Sequence, residues 1–278
     1  MEKLNRGYNG NRPKPPVKWA GGKGQLISQF EPLFPKQNFS LYIEPFVGGG
    51  AVFFHLLPSE AVIIDNNPEL INFYIVVRDE LQALLADLEK HQNNEEYYYS
   101  IRALDPDKMD PVCRASRFLY LNKTGYNGLW RVNKKGKHNV PFGRYKNPRI
   151  VDKENLQLVS RVLQHTEIIL GDFSKALDFA LPGAFVYLDP PYHPLSETAN
   201  FTSYTSDSFG VDDQRRLAEA FKEFDERGCK VMLSNSDTPF IRELYKGYDI
   251  RVVYARRAIN CCAEKRGPIS ELVIRNYC

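Results

Sequence analysis

The chain is poor in the residues that staple or metallate a small fold. Five cysteines are present among 278 residues: Cys113, Cys229, Cys261, Cys262 and Cys278. Their number is odd, they are scattered, and no Cys-x-x-Cys spacing occurs. This argues against a disulfide framework or a zinc site and fits a reduced, cytoplasmic protein. The five histidines are dispersed as well, so no metal centre is expected, and the adjacent Cys261-Cys262 pair reads as incidental. No apolar run reaches the ~18 residues that a membrane-spanning helix needs. Met1 to Pro16 is polar and holds no apolar h-region, so it reads as a flexible tail and not as a secretory signal. Internal repeats and low-complexity tracts are absent too.

With 43% apolar residues the chain can build a real core. Its length suits one large domain, or one domain carrying an insertion. Net charge is +3 but unevenly placed. Between Lys123 and Val151 lie eight basic residues and no acid: Lys123, Arg131, Lys134, Lys135, Lys137, Arg144, Lys146 and Arg149. The +3 total less those eight leaves about −5 on the rest of the chain. Tyr126, Trp130, Phe142 and Tyr145 are interleaved with these charges. A basic, aromatic-rich segment on an otherwise acidic protein suggests an element that binds a polyanion. A merely solvated basic loop would not need the aromatics.

Strands are expected at 41–43, 61–64, 167–170, 184–188 and 230–234, with a final antiparallel pair at 249–254 and 270–274. Helices are expected over 51–57, 110–121 and 211–227. Another helical stretch follows Asn67, an N-cap with Pro68 in the first helical position. In it Leu70, Ile71, Tyr74, Val77, Leu81, Leu84, Leu85 and Leu88 keep helical spacing. Strands alternating with helices imply an α/β fold with a mostly parallel sheet. Roughly a hundred mostly helical residues between the strands at 61–64 and 167–170 interrupt that rhythm. They include the basic segment, where Tyr126 to Val132 can pair with Lys137 to Pro141 across Asn133-Lys-Lys-Gly136. The expected organisation is a tail at 1–16, a catalytic domain built from 17–66 and 166–278, and an inserted recognition domain at 67–165 with a hairpin at 126–141.

Two strand ends carry chemistry. Asp189-Pro190-Pro191-Tyr192 follows the apolar run Ala184 to Leu188. Its prolines fix φ near −65° and donate no backbone hydrogen bond, so a stiff turn presents one carboxylate, bare carbonyls and one ring. That set suits a planar aromatic substrate with an exocyclic amine: the carboxylate and a carbonyl accept the two N–H groups and the ring stacks. An ordinary turn uses the same residues, so the tetrapeptide alone leaves both readings open. The second end is Phe46-x-Gly48-x-Gly50, after a strand and before a helix, where glycines let a ligand approach the backbone. Asp65, ending the next strand, is placed for ribose hydroxyls, and Asp172-Phe173 for an adenine amine and ring. A nicotinamide dinucleotide would use the same geometry, but the spacing is not G-x-G-x-x-G. Upstream, Lys18-Trp-Ala-Gly-Gly-Lys23 sets a lysine beside two glycines, suited to a ligand carboxylate with Trp19 packed over it. An amino-acid carboxylate, a ribose and an adenine together describe S-adenosylmethionine.

These segments resemble the Dam family of DNA adenine-N6 methyltransferases, which act on GATC. The matching stretches are Lys18 to Lys23, Glu44-Pro-Phe-Val-Gly-Gly-Gly50, Tyr126-Asn-Gly-Leu-Trp-Arg131, Asn139-Val-Pro-Phe-Gly-Arg-Tyr145, Asp189 to Tyr192, Leu195 to Thr202 and Leu233-Ser-Asn-Ser236. They occur in the family's order from about residue 17 to 277. The resemblance implies a Rossmann-like class I methyltransferase with a mostly parallel seven-stranded sheet and an inserted helical DNA-recognition domain carrying a β-hairpin. By the same resemblance Trp19, Lys23, Asp65 and Asp189 match contacts to S-adenosylmethionine, and Phe46, Gly48, Gly50, Asp172 and Phe173 belong to that site. Asp189, Pro190, Pro191 and Tyr192 match the catalytic loop. Tyr126 and Asn127 lie where family members insert into the duplex beside a flipped adenine. Arg131 matches an arginine that reads a guanine, Leu129 and Pro141 match apolar contacts to thymine, and Tyr145 lies near the target pair. Lys18 matches a contact to the outer guanine, and Asn139 and Arg144 fall within the same DNA-binding set. Trp130 departs from the pattern as a bulky residue at a position expected to vary.

The implied partner is double-stranded DNA, without membrane or metal, and the protein is expected to be monomeric. The implied reaction is in-line methyl transfer to N6 of a flipped adenine. Two other readings stay open at this point. RNA or protein N-methyltransferases usually carry Asn at the first position of the tetrapeptide and lack the hairpin. A catalytically silent DNA-binding protein would not need the complete cofactor set.

Overall fold

The apolar runs become the strands β1 (Tyr42–Glu44), β2 (Ala61–Asp65), β3 (Thr166–Leu170), β4 (Phe185–Leu188), β5 (Lys230–Ser236), β6 (Asp249–Ala255) and β7 (Ile269–Arg275). They form one sheet in the order β3-β2-β1-β4-β5-β7-β6. The first five pair in parallel, and β7 runs antiparallel to both β5 and β6. This is the expected Rossmann-like α/β architecture. The computed structural model describes residues 12–36, 38–195, 209–255 and 269–278. Residues 1–11 of the expected tail, residues 196–202 of the segment after the proline turn, and Cys261-Cys262 lie outside that set.

Both sheet faces are covered, as a parallel sheet requires. Side chains alternate across it. Tyr42, Ile63, Phe185, Tyr187, Met232 and Val273 enter one apolar cluster, and Ile43, Val62, Val186, Leu188, Leu233 and Ile274 the other. The first cluster continues into Leu70, Phe73 and Val77 of α3 (Pro68–Asp79), after the short helices α1 (Ile27–Phe30) and α2 (Ala51–Leu56). It extends through α4 (Leu81–Leu88), α6 (Pro111–Thr124) and α7 (Lys153–Leu163), so the helical insertion shares its core with the sheet. The remaining helix of that region is α5 (Glu95–Ala103). The second cluster takes Leu217, Phe221 and Phe224 of α8 (Val211–Glu226) and Ile241 of α9 (Pro239–Leu244). Each fully buried Phe or Leu contributes about 1.5–3 kcal/mol relative to exposure.

Asn67 caps α3 as expected, its Oδ1 accepting from the Glu69 and Leu70 amides at 3.0 and 3.2 Å, an interaction of about 1 kcal/mol. The periodic stretch from Pro68 to Leu88 is not one helix. It breaks at Glu80, which takes φ −130° and ψ 31°. The apolar stripe stays in register across the break because both helices face the same cluster. Residues 12–16, expected to be loose, are held against the body. Arg12 donates to the His55 carbonyl at 2.7 Å, and the Asn155 amide clamps both backbone groups of Lys14 at 2.8 and 2.9 Å.

The basic segment folds back on itself but does not form a continuous ladder. Its arms meet at two bridges, Gly125 with Phe142 and Val132 with His138. Pairing fails between them because Asn127 and Gly128 adopt φ 55° and 63° in a 3-10 turn, and Pro141 has no N–H to give. The strand order reverses between β1 and β4. Ligands of open α/β sheets bind in the crevice at the carboxyl ends of strands at such a point, and here the glycine turn leaves β1 and the proline turn leaves β4.

Candidate active site

A cavity of about 1000 Å³ opens at this crevice. Every residue expected on the cofactor side lines it: Trp19, Lys23, Phe46, Gly48, Gly50, Asp65, Asp172, Phe173 and Asp189. Pro190, Pro191 and Tyr192, expected in the catalytic loop, line the same space.

The glycine turn is held from three sides. Asp65 Oδ2 accepts from the Gly48 amide at 3.0 Å, Asp65 Oδ1 accepts from the Asn67 amide at 2.9 Å, and the Tyr74 hydroxyl donates to the Gly48 carbonyl at 2.8 Å. Burial pushes the Asp65 carboxyl up, and the backbone N–H groups partly counter it. Gly48 sits at φ 47° beneath the Trp19 indole, where a Cβ would approach Trp19 Cδ1 to 2.6 Å. Any side chain there would have to displace the indole. At the far end three rings form an apolar slot. Phe46 stacks on Phe173 at 5.5 Å, and Phe209, which carried no sequence signal, meets Phe46 edge-on at 5.7 Å. Asp172 Oδ1 accepts from the Ser174 amide at 3.1 Å and from Arg216 at 3.0 Å. Burial works against its ionisation, but these partners outweigh it and hold the carboxyl below its usual range.

Asp189 follows β4 directly. Lys23 Nζ lies 2.8 Å from Asp189 Oδ1, a close ion pair. The same ammonium donates to the Gly21 carbonyl at 2.6 Å and lies 4.7 Å from the Tyr192 ring centroid. Burial pushes the Asp189 carboxyl up, and the Lys23 charge opposes that rise. Among the described residues no donor reaches Asp189 Oδ2 or the Pro190 carbonyl, and both residues line the cavity, a pair of acceptors suited to an amine.

Four acidic or amide groups around this loop escaped the sequence reading as site residues. Glu44 is buried beneath Asp189, with Tyr42 donating to its Oε2 at 2.9 Å. Burial drives its carboxyl well above the usual range. Glu271 accepts from the Tyr192 hydroxyl at 2.7 Å. Gln214 and Asn235 bond each other at 3.0 Å. Gln214 donates to the Pro191 carbonyl at 2.9 Å, and Asn235 Oδ1 accepts from the His193 amide at 3.1 Å. This pair clamps the backbone of the proline turn. The Glu44 and Asn235 segments were visible as motifs, whereas Gln214 and Glu271 arrive from distant elements with no local signal.

The residues expected to meet DNA do not line the cavity; they cluster on the basic fold-back. Tyr126, Asn127, Leu129, Arg131, Pro141 and Arg144 are exposed, Tyr126 by 53%. Asn139 and Tyr145 are half-buried. Asn139 Oδ1 accepts from Arg131 Nε at 2.7 Å, a bond that leaves the edge formed by the two terminal guanidinium nitrogens unused. Arg144 pairs with Glu95 at 3.3 Å, and Lys18 Nζ lies over the Tyr145 ring at 5.2 Å. Trp130 is explained as packing: it stacks on His138 at 4.5 Å and meets Phe118 at 4.5 Å. No helix among the described residues is long and apolar enough to cross a membrane, and no described cluster of His, Cys, Asp and Glu could hold a metal ion.

Comparison with known proteins bears on this geometry. A family model described as D12 class N6 adenine-specific DNA methyltransferase matches residues 19–259. The chain is 47% identical over 272 residues to the type II methyltransferase M1.LlaDCHI of Lactococcus lactis subsp. cremoris, covering 95% of each chain. It is 46% identical over 286 residues to the type II methyltransferase M.MjaIII of Methanocaldococcus jannaschii, covering 95% of this chain and 99% of that one. It is 39% identical over 261 residues to the DNA adenine methylase of Escherichia coli K12, covering 92% of this chain and 93% of the other.

Proposed function

The chain belongs to the D12 class of N6 adenine-specific DNA methyltransferases, and from that premise we propose that it methylates the adenine of GATC in duplex DNA with S-adenosylmethionine as donor. The observation that carries this reading is the Asp189 turn: a half-buried carboxylate paired with Lys23, followed by the Pro190 carbonyl, in a turn that lines a cavity large enough for a nucleoside. The cavity fits the donor. The Phe46, Phe173 and Phe209 slot suits an adenine ring, Asp65 suits ribose hydroxyls, and the turn at Gly48 leaves backbone open where a Cβ would collide. Trp19 and Lys23 close the amino-acid end. When bound, the donor supplies an electrophilic methyl group.

The chain's own residues then do three things. Asp189 and the Pro190 carbonyl accept the two N6 hydrogens, which favours a pyramidal nitrogen with a usable lone pair. The N6 proton leaves during or after transfer, so Asp189 need not act as a full base and positioning dominates. Tyr192 stacks on the extruded base at roughly 1–3 kcal/mol, which offsets part of the few kcal/mol of extrusion. The third task is recognition. Arg131, steadied by Asn139, pairs with a guanine through its two terminal nitrogens for about 1–3 kcal/mol of discrimination. Tyr126 and Asn127 enter beside the flipped base, Leu129 and Pro141 touch thymine, and Lys18, Arg144 and Tyr145 complete the contact. The surrounding lysines set register through phosphates. On this reading residues 67–165 are the target-recognition part, and the protein works as a cytoplasmic monomer in a bacterium or a phage-infected cell.

A tritiated methyl-transfer assay on plasmid DNA tests the site. Asp189→Ala should retain duplex binding and lose transfer. Near-normal turnover in that variant would remove Asp189 from the reaction.

A further inference from the structure

We infer that Asn122 is a positioning residue that couples occupancy of the cofactor cavity to the grip of the recognition segment on DNA; this rests on the reading of those two sites given above. Asn122 lies on α6 with 0% exposure. Its Nδ2 donates to the Lys18 carbonyl at 2.8 Å and to the Gly128 carbonyl at 3.1 Å, and its Oδ1 accepts from the Lys18 amide at 3.0 Å. Both of its N–H donors are thus committed. One partner segment, at Lys18, leads into Trp19, which lines the cavity. The other closes the turn that projects Tyr126 and Asn127.

Backbone and side chain also touch directly across this joint. Gly128 has φ +63°, and a Cβ there would lie 2.3 Å from Lys18 Cδ. A second path runs through rings, from Trp19 to Phe118 at 6.4 Å and from Phe118 to Trp130 at 4.5 Å. A ligand that orders Lys18 and Trp19 therefore orders the turn at Gly128 through one amide. DNA then binds a turn whose ordering cost has already been met, and linkage requires the effect to be reciprocal.

The test measures duplex affinity by fluorescence anisotropy, using a labelled GATC duplex with and without saturating S-adenosylhomocysteine. The wild-type protein should bind the duplex more tightly with the nucleoside present, by about 5- to 150-fold as is usual for coupled sites. Asn122→Ala should bring that ratio towards one while S-adenosylhomocysteine binding alone, read by calorimetry, stays close to wild type. Gly128→Ala, which sets a methyl against the Lys18 side chain on the other side of the same joint, should do the same and carries the test if Asn122→Ala does not fold. A wild-type ratio of one, or an unchanged ratio in Gly128→Ala, overturns the inference. Failure of the wild-type protein to bind S-adenosylhomocysteine or duplex at all would instead overturn the functional reading beneath it.

Discussion

Replacing Asn235 by alanine should slow methyl transfer far more than it weakens DNA binding. Asn235 is fully buried and serves three groups: it accepts from the His193 amide at 3.1 Å and the Ser236 amide at 2.8 Å, and donates to Gln214 Oε1 at 3.0 Å. Each buried group left unpaired costs about 1–3 kcal/mol. Water can reach the His193 side, so the lower end applies and the total is about 3 kcal/mol. At roughly 2–4 °C per kcal/mol for a chain of this size, a melting shift of about 6–12 °C follows. The catalytic effect is separate. With its bond to the His193 amide gone, the turn keeps Ser236 Oγ on the His193 carbonyl at 2.6 Å and a Gln214 that has lost its own partner, and a displacement of about 1 Å at a reacting centre costs on the order of 100-fold in rate. Single-turnover kinetics on a GATC duplex at 20 °C below the melting midpoint read this directly. Gln214→Ala and the double variant should be non-additive, since both residues act on one loop. A variant that melts early yet transfers methyl at the wild-type rate would refute the clamp.

Further outcomes follow from other parts of the molecule. Gly48→Ala should abolish S-adenosylhomocysteine binding by calorimetry with the fold retained, because the added Cβ displaces Trp19. Arg131→Ala should lose discrimination at one guanine by about 1–3 kcal/mol, whereas Lys134→Ala with Lys135→Ala should weaken all duplexes alike and lower the salt slope by about 0.9 per phosphate contact. A uniform loss in Arg131→Ala would make it a phosphate contact. His138 is buried with neither ring nitrogen partnered, and burial, then nearby arginines, hold it down to about 3. A depressed folded value means that its contribution to stability is present above the ordinary histidine range and lost as pH falls from about 6.5 towards 3. Denaturant titrations should show a slope approaching ~1.4 kcal/mol per pH unit across that window. His138→Phe, which keeps a ring on Trp130, should flatten it.

What could be read from the sequence was whatever is local along the chain. The strands, the glycine turn, the Asn67 cap and the Asp189 turn each announce themselves within a few residues, because their cause is a spacing, a proline or a missing Cβ. The residues expected to hold a cofactor share one cavity because the parallel sheet brings the ends of β1, β2, β3 and β4 together. Contacts made over long separations were invisible. Glu271 reaches Tyr192 from β7, Gln214 reaches Pro191 from α8, and nothing near either residue marks that role. The break at Glu80 was hidden because an apolar stripe continues through it. The ladder expected in the basic segment fails at Asn127 and Gly128, where the positive φ that presents Tyr126 is incompatible with regular pairing.

The most direct measurement of the central claim is modified-base sequencing of the genome of a methylation-deficient host expressing this protein. The wild-type chain should place N6-methyladenine at GATC across the genome, and Asp189→Ala, produced at equal level, should leave those sites unmodified. Methylation at another sequence would contradict the assigned specificity, and methylation by the Asp189→Ala variant would contradict the mechanism.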